Sequence, residues 1–278
     1  SKKITICIVG GIGSIIFIAI LCYSIYIESR EFMKQRVISA IVALLILVPI
    51  FIIGGFVYDA AIIILSLLAL REFLKVKETK KELPSFIHFI SYIIMTLLVM
   101  SGVGTNTIVF SIDFRVITGL FMVFLLPAIL YHDRSLYSIN DAFYLIGGIF
   151  FLGISFSLFI IFRNISLNTI IYLFLISTMT DTYAYIIGRL IGKNKLLETI
   201  SPNKTWEGMI AGSLFGTLIA SAFYFTLNPS VSIFKIVIIT CFLSILGQFG
   251  DLVFSSIKRY FGKKDFSNIM PGHGGILD

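Results

Sequence analysis

The sequence predicts an all-α integral membrane protein, a polytopic transmembrane helical bundle with about nine spans in a chain of 278 residues. Hydrophobic residues make up 58% of the chain and charged residues 13%, and the mean hydropathy is +1.00. A soluble protein of this composition would have too little polar surface to cover itself. Several apolar stretches reach the roughly 20 residues that a helix needs to cross the hydrocarbon core. They lack the strict alternation of a transmembrane barrel strand, so helices are expected.

Polar or glycine-containing breaks separate the apolar stretches, and each stretch is expected to form one helix. Gly54-Gly55 and Asp59 indicate a tight turn, so the second and third stretches are treated as two helices of a hairpin. The predicted spans are 4–27, 37–53, 58–74, 86–101, 114–130, 142–162, 169–191, 207–227 and 233–257.

Lysine and arginine residues concentrate in every second loop. If nine spans are present, the loops 28–36, 75–85, 131–141, 192–206 and the segment after 257 all lie on one side, and most of the basic residues lie in them. Loops rich in Lys and Arg face the cytoplasm. The net charge of +7 is spread over several loops, which suits anionic lipid headgroups better than nucleic acid. We therefore expect an integral membrane protein whose loop 192–206 and segment after 257 are cytoplasmic, with no nucleic-acid partner.

Three regions are expected along the chain. Residues 1–32 are expected to form an extra N-terminal transmembrane segment. A genuine extra helix, an uncleaved signal anchor and a segment that is not native to the protein all fit it, because Met33 is a plausible start immediately before a span. Residues 33–165 are expected to form the N-terminal transmembrane helices, and residues 166–278 a second transmembrane region that ends in a cytoplasmic motif.

Glycines recur every four residues in two neighbouring spans: Gly188 and Gly192 in one, and Gly208, Gly212 and Gly216 in the next. Small residues at this spacing let helices approach closely. A packing role is therefore favoured over a substrate-lining role, and a homodimer formed through these faces is one expected arrangement.

Asp181 lies deep in the predicted span 169–191. It is about 11 residues from either end, which is roughly 16 Å at 1.5 Å per residue. A charged carboxylate at that depth costs at least about 2.5–3.5 kcal/mol, so it is expected to face a polar cavity, a partner or a cation. A substrate cavity and the ion site of a transporter both fit this position.

The loop 201–208 (Ser-Pro-Asn-Lys-Thr-Trp-Glu-Gly) carries groups suited to phosphate. Pro202 predicts a turn, while Ser201, Lys204 and Thr205 supply hydroxyl and ammonium donors. Thr205 equally suits the N-cap of the following helix. The two interpretations stay open for this loop taken alone.

A third group of polar residues begins inside the last span. Asp251, Ser255 and Lys258 are spaced i, i+4 and i+7, so they share one helical face that leads to the membrane boundary. Carboxylate oxygens are ligands that Mg²⁺ prefers, and Mg²⁺ commonly bridges them to substrate phosphates. An intramembrane acid on this face favours function over a merely basic tail.

The residues that follow are suited to a polyphosphate. Lys258, Arg259 and Lys264 can neutralise a triphosphate, and His273 can donate a hydrogen bond to phosphate or to a leaving group. Gly274 and Gly275 permit backbone N–H groups to approach an anion closely.

At these residues the chain resembles the CDP-diacylglycerol synthase (phosphatidate cytidylyltransferase) family. The resemblance rests on the pattern from Ser255 through Lys258-Arg259, Lys264-Asp265 and Pro-Gly-His-Gly-Gly at 271–275 to Asp278. Two upstream motifs agree with it: Asp181-x-x-Ala-Tyr-x-x-Gly-Arg, and the loop 201–208. The resemblance covers about residues 33–278. The family pattern continues with Arg-x-Asp and a further helix, so we expect the natural chain to extend beyond the printed sequence.

The resemblance implies that CTP and phosphatidic acid react to give CDP-diacylglycerol and pyrophosphate beside the lipid bilayer. It also implies that residues 166–278 are the catalytic region, in a protein of the bacterial cytoplasmic membrane whose active site faces the cytoplasm. As a hypothesis, Asp251 and Asp278 hold the metal ions of a two-metal site, one ion being Mg²⁺ and the second either divalent or monovalent. The expected catalytic residues, which bind the triphosphate or stabilise pyrophosphate, are Lys258, Arg259, Lys264, Asp265 and His273, with Asp265 as a further or indirect metal ligand. The expected substrate-binding residues are Asp181, Ser201, Lys204, Thr205, Ser255, Gly274 and Gly275.

Two other functions compete with this one. A CTP-dependent kinase of a lipid alcohol shares the membrane setting and the nucleotide but transfers the γ-phosphoryl group. A cation-coupled transporter could use Asp181 and Asp251, but it predicts inverted repeats and gives no role to the motif at 271–275.

Overall fold

Eight helices and one short β-hairpin make up the part of the chain that the computed structural model describes, which is residues 30–103, 114–131 and 133–278. The predicted span 4–27, and most of the region 1–32, lie outside the described residues. The elements in chain order are α1 Arg30–Ile53, α2 Gly55–Glu78, α3 Ser85–Met100, α4 Phe114–Leu130, α5 Ile139–Ile165, α6 Leu167–Ile191, β1 Lys195–Leu197, β2 Ser201–Thr205, α7 Trp206–Leu227 and α8 Ile233–Tyr260.

Each of the eight predicted spans from residue 37 onwards corresponds to one of these helices. Four helices, α5 to α8, are long and apolar enough to cross a membrane, and α1, α3 and α4 contain shorter apolar stretches. The chain is thus a helical integral membrane protein, whereas the number of nine spans is not confirmed. α1 and α2 are separate helices with only Gly54 between them.

Gly54 allows the guanidinium of Arg163 to cap the end of α1. Gly54 has φ +68°, and a Cβ there would lie 2.5 Å from Arg163 Nη2. Arg163, near the end of α5, donates to the carbonyls of Phe51 and Ile52 at 2.7 and 3.1 Å. These carbonyls lack partners within the helix, so the arginine satisfies them.

The β-hairpin corrects one feature of the predicted loop 192–206. Pro202 was expected to force a turn, but it lies inside strand β2, and the turn is at residues 198–200. β1 and β2 form an antiparallel two-stranded sheet. Every strand of such a sheet is an edge strand, where the missing proline N–H is tolerated. The fold is therefore helical with one small sheet.

Helix starts follow capping residues in the sequence. Ser138 forms a capping box with Asp141 at the start of α5, and Ser166 caps α6 through the N–H of Thr169. Thr205 caps α7, where its hydroxyl accepts from Gly208 N at 3.2 Å. The N-cap interpretation of Thr205 is thus confirmed.

Close packing of α6 against α7 occurs at the predicted glycines. A Cβ on Gly212 would lie 2.5 Å from the Thr180 carbonyl, and a Cβ on Gly208 would lie 2.5 Å from the Ala184 carbonyl. Gly216 contacts Thr180 in the same way. The packing role is confirmed, and it occupies these glycine faces within one chain. The homodimer expected through these faces stays a prediction.

The ends of several helices meet at one end of the bundle. Lys77 and Lys81 both pair with the buried Asp141, at 2.6 and 2.5 Å, which joins the end of α2 to the start of α5. Arg259, near the end of α8, donates to the carbonyl of Ile200 in the hairpin turn at 3.3 Å. Loop 75–85 therefore lies beside the start of α5, and loop 192–206 lies beside the end of α8, whereas the common side predicted for all five basic segments stays a prediction.

Gly212→Ala is expected to destabilise the protein by about 1–3 kcal/mol, because its Cβ enters an interface with no free volume. Gly147→Ala is the matched control, since a Cβ on Gly147 has no neighbour within 4 Å and both glycines are helical. Thermal unfolding in detergent measures both changes. Equal melting temperatures for the two variants would contradict close α6–α7 packing.

Candidate active site

A cavity of about 610 Å³ lies where α6, α7, α8 and the β-hairpin meet. Its volume is within the roughly 300–1,000 Å³ of small-molecule sites. Both acidic and basic side chains face this cavity. The lining residues are Asp181, Ala184, Tyr185, Gly188, Arg189, Gly192, Lys195, Leu196, Asn203, Lys204, Thr205, Met209, Gln248 and Asp251.

Three charged residues define the chemistry of this cavity. Asp251 of α8 pairs with Lys204 of β2 through its Oδ2, and its side chain is about half exposed. Both residues are electrostatic neighbours of Asp181 on α6. Two carboxylates thus lie near one ammonium group, an arrangement that can hold a cation beside bound phosphate.

A second cavity of about 180 Å³ continues from Asp181 along α6 and α8. It shares Asp181 and Gln248 with the larger cavity. The rest of its wall is mixed, with Leu173, Ile176 and Leu243 beside small polar groups. Since α6 and α8 are both candidate membrane spans, this cavity extends towards the apolar part of the bundle.

Gln248 supports the wall between the two cavities. It is 4% exposed, and its amide donates to the Met209 carbonyl at 3.1 Å and to the Ser213 hydroxyl at 2.7 Å. Both acceptors belong to α7, so this side chain fixes α8 against α7. Arg189 also faces the larger cavity, and its guanidinium donates to Tyr185 Oη at 2.9 Å.

Residues 261–278, called the motif loop below, follow α8 and fold back onto the bundle. Asp278 organises the loop: its Oδ1 pairs with Lys258 at 2.7 Å, and its Oδ2 accepts from the amides of Phe266 and Gly275 at 2.7 and 2.8 Å. Its side chain is 6% exposed. His273 Nδ1 lies 2.9 Å from the hydroxyl of Ser39 on α1.

Most of the predicted site residues therefore fall into two groups. Asp181, Lys204, Thr205 and Asp251 line the large cavity. The second group is in and beside the motif loop: Lys258, His273, Gly274, Gly275 and Asp278. Asp251 and Lys258 are two helical turns apart, about 10 Å along the axis.

Four other predicted residues do not line the large cavity. Ser201, Ser255, Lys264 and Asp265 are not among the residues that line the large cavity. Lys264 and Asp265 are exposed at the start of the motif loop. Their roles stay predictions.

Arg259, another predicted residue, connects the hairpin turn to the motif loop. Its guanidinium donates to the carbonyl of Ile200 at 3.3 Å and to the carbonyl of Lys263 at 3.2 Å.

The two predicted metal ligands differ in how well their carboxylates could bind a metal ion. Asp251 suits Mg²⁺, since it is accessible on the cavity wall near Asp181. Asp278 has donors on both oxygens, so it could ligate a metal only after Lys258 moved away. Among the described side chains, no group of three or more His, Cys, Asp or Glu residues is positioned to hold a metal ion.

Two buried polar residues were missed by the sequence analysis, although a signal for them exists. Glu72 and Gln248 stand in predicted apolar spans, as Asp181 does, and the cost of placing a polar group there applies equally to them. Glu72 is 2% exposed and contacts the motif loop.

Comparison with known proteins identifies the family of the chain. The pattern that defines the Cytidylyltransferase family matches residues 34–278. The chain belongs to this family. It is 38% identical over 247 residues to the phosphatidate cytidylyltransferases of Staphylococcus haemolyticus and Staphylococcus epidermidis, and 36% identical to that of Staphylococcus aureus. Each match covers 88% of this chain and 93% of the relative.

Lys204→Gln is expected to lower transfer activity about 10- to 100-fold, because a charge-assisted contact in the cavity is worth about 1.5–3 kcal/mol. Stability should change by less than about 1 kcal/mol, since the Lys204–Asp251 pair is partly exposed. Lys193→Gln is the matched control: it removes the same charge beside the hairpin, outside the cavity. Equal activities of the two variants would contradict a role for Lys204.

Proposed function

We propose that the chain is a phosphatidate cytidylyltransferase, which converts CTP and phosphatidic acid to CDP-diacylglycerol and pyrophosphate. The observation that carries the proposal is the pair of adjoining cavities that share Asp181, one lined by charged groups and the other extending among membrane-crossing helices. A water-soluble nucleotide and a lipid phosphate need access from these two directions. The family and its phosphatidate-named relatives support the same reaction.

The reaction brings two polyanions together. An oxygen of the lipid phosphate attacks the α-phosphorus of CTP, a new P–O bond forms, and the bond to the β-phosphate oxygen breaks as pyrophosphate leaves. Lys195 and Lys204 of the hairpin and Arg189 of α6 supply positive charge around the larger cavity. Cations placed there reduce the repulsion between the two substrates and hold them in line.

In this proposal the motif loop and the end of α8 bind the triphosphate. Lys258, Arg259 and Lys264 neutralise its charge, and His273 donates a hydrogen bond to the departing pyrophosphate. In the structure, the Lys258 ammonium pairs with Asp278, which holds it at the edge of the motif loop. Ser201, Ser255 and Thr205 provide hydroxyl groups near the same end of the bundle.

Magnesium is the proposed cofactor, with a second divalent or monovalent ion beside it. Asp251 would hold Mg²⁺ on the cavity wall, with Asp181 nearby, and Asp278 would join only if Lys258 turned to the substrate. When bound, the ion supplies positive charge that offsets the charge on the phosphates. Lys204 keeps the Asp251 carboxylate oriented towards the cavity.

The site is proposed to face the cytoplasm. Lys77, Lys81, Lys204 and Lys258 all lie at the end of the bundle that carries the motif loop, and a basic end indicates the cytoplasmic side. A homodimer remains a proposal. The lipid-alcohol kinase and the transporter have no comparable observation in their favour.

The proposed reaction predicts that label in the cytosine ring of CTP enters the lipid phase. The assay uses the purified protein in mixed micelles with phosphatidic acid and Mg²⁺, and measures labelled lipid together with released pyrophosphate. A lipid-alcohol kinase would leave labelled CDP in water, so omission of phosphatidic acid and addition of a polyprenol serve as controls. Lipid phosphorylation without cytosine label in the lipid would contradict the proposal.

Asp251→Asn is expected to raise the Mg²⁺ concentration needed for half-maximal activity and to lower maximal turnover by about 100-fold or more. The loss arises because the neutral amide is a weaker ligand for Mg²⁺ than a carboxylate. Asp133→Asn is the control, since Asp133 is exposed outside the cavity and accepts a hydrogen bond from Ser135 N at 2.7 Å. Near-normal turnover and Mg²⁺ dependence of Asp251→Asn would remove Asp251 from the metal site.

A further inference from the structure

Glu72 is a buried carboxylate in the N-terminal half of the chain. It lies on α2, it is 2% exposed, and its neighbours Phe73 and Leu74 belong to the apolar core. Burying a charged carboxylate is unfavourable unless hydrogen-bond donors surround it. The residues that donate hydrogen bonds to Glu72 therefore indicate its role.

Among the described residues, three donors reach the Glu72 carboxylate, and all of them come from the motif loop. The Ser267 hydroxyl donates to Oε1 at 2.5 Å, Ile276 N donates to Oε1 at 2.9 Å, and Leu277 N donates to Oε2 at 2.9 Å. Both oxygens are thus occupied by groups about 200 residues away in sequence. The carboxylate accepts these hydrogen bonds only when the motif loop has this one conformation.

The glycine pair of the motif is fitted to the carboxylates of the protein itself. A Cβ on Gly275 would lie 2.4 and 2.5 Å from the two oxygens of Glu72. Gly274 has φ +108°, and a Cβ there would lie 2.8 Å from Asp278 Oδ2. The sequence analysis assigned these glycines to substrate phosphate, whereas the anions that they approach in the structure are Glu72 and Asp278.

The contacts of Glu72 extend directly to the predicted catalytic groups. Ile276 and Leu277 lie between Gly275 and Asp278, and Gly275 N and Lys258 both bind Asp278. Holding the two central amides therefore fixes where Asp278 and the Lys258 ammonium lie. Glu72 itself is not among the residues that line the large cavity, so it acts through the loop.

We propose that Glu72 is a positioning residue, whose carboxylate holds the motif loop in the conformation that presents Lys258, His273 and Asp278 for nucleotidyl transfer. The inference rests on the proposed function for what the loop does, but the anchoring of the loop can be measured without any activity. It assigns a part in the reaction to α2, outside the region 166–278 that was predicted to be catalytic.

The test compares Glu72→Gln with Glu78→Gln in the whole protein. Both changes neutralise a glutamate on α2, but Glu78 contacts His88 Nε2 at 2.6 Å and does not touch the motif loop. Hydrogen exchange of the peptide that contains residues 267–278 should be at least about tenfold faster in Glu72→Gln and unchanged in Glu78→Gln, because a lost amide bond exposes the loop. Equal exchange in both variants would overturn the anchoring.

Kinetics then distinguishes positioning from general stabilisation. Well below the melting temperature, Glu72→Gln should lower kcat/KM for CTP about tenfold or more, while KM for the lipid stays within about twofold. Ser267→Ala should lower kcat/KM in the wild-type background but add little to Glu72→Gln, because both changes remove the same contact. Faster loop exchange with unchanged kinetics, or fully additive effects, would overturn the positioning role.

A second pair of variants decides the question if Glu72→Gln does not fold. Ser267→Ala removes one of three donors and leaves both amides in place, with Ser155→Ala as its control, since the Ser155 hydroxyl is exposed and bonds only within α5. Faster exchange of 267–278 in Ser267→Ala alone supports the anchor, and no difference contradicts it. An inactive wild-type protein would refute the proposed function but would leave the exchange result decisive for the anchor.

Discussion

Close packing of α6 against α7 is the constraint on which the candidate site depends. Gly208 and Gly212 bring α7 within contact distance of the backbone at Thr180 and Ala184. Asp181 lies between these two positions, and Lys204 directly precedes the Thr205 cap of α7. The close packing at these glycines therefore positions both Asp181 on the acidic side of the cavity and Lys204 on its basic side. Any substitution that separates these helices changes the site without touching a charged residue.

Three carboxylates with buried side chains organise other parts of the protein, because burying a charged carboxylate is unfavourable unless hydrogen-bond donors surround it. Asp141 gathers Lys77 and Lys81 and joins α2 to α5. Glu72 and Asp278 gather the motif loop. Because these acids select partners from distant parts of the chain, they connect the N-terminal helices to the site. The charged residues of the bundle thus specify its assembly as well as its chemistry.

The sequence was sufficient to predict the helices but not the partners of each side chain. Apolar length defines a membrane helix locally, so all eight helices of the described region were found. The importance of Asp181 followed from the cost of its position, and its cavity agrees with that argument. The hairpin was missed because β1 has three residues and its pairing is non-local. Glu72 was overlooked although the same cost applied to it, and its contacts with Ile276 and Leu277 depend on tertiary structure alone.

The most direct test of the account is a structure of the protein determined with CTP and Mg²⁺ bound. The account predicts density for the nucleotide in the cavity of about 610 Å³, with phosphate groups within hydrogen-bond distance of Lys204 and of the motif loop, and a metal ion on Asp251. Nucleotide bound away from α6, α7 and the hairpin, with Lys204 and Asp251 still paired only to each other, would contradict it.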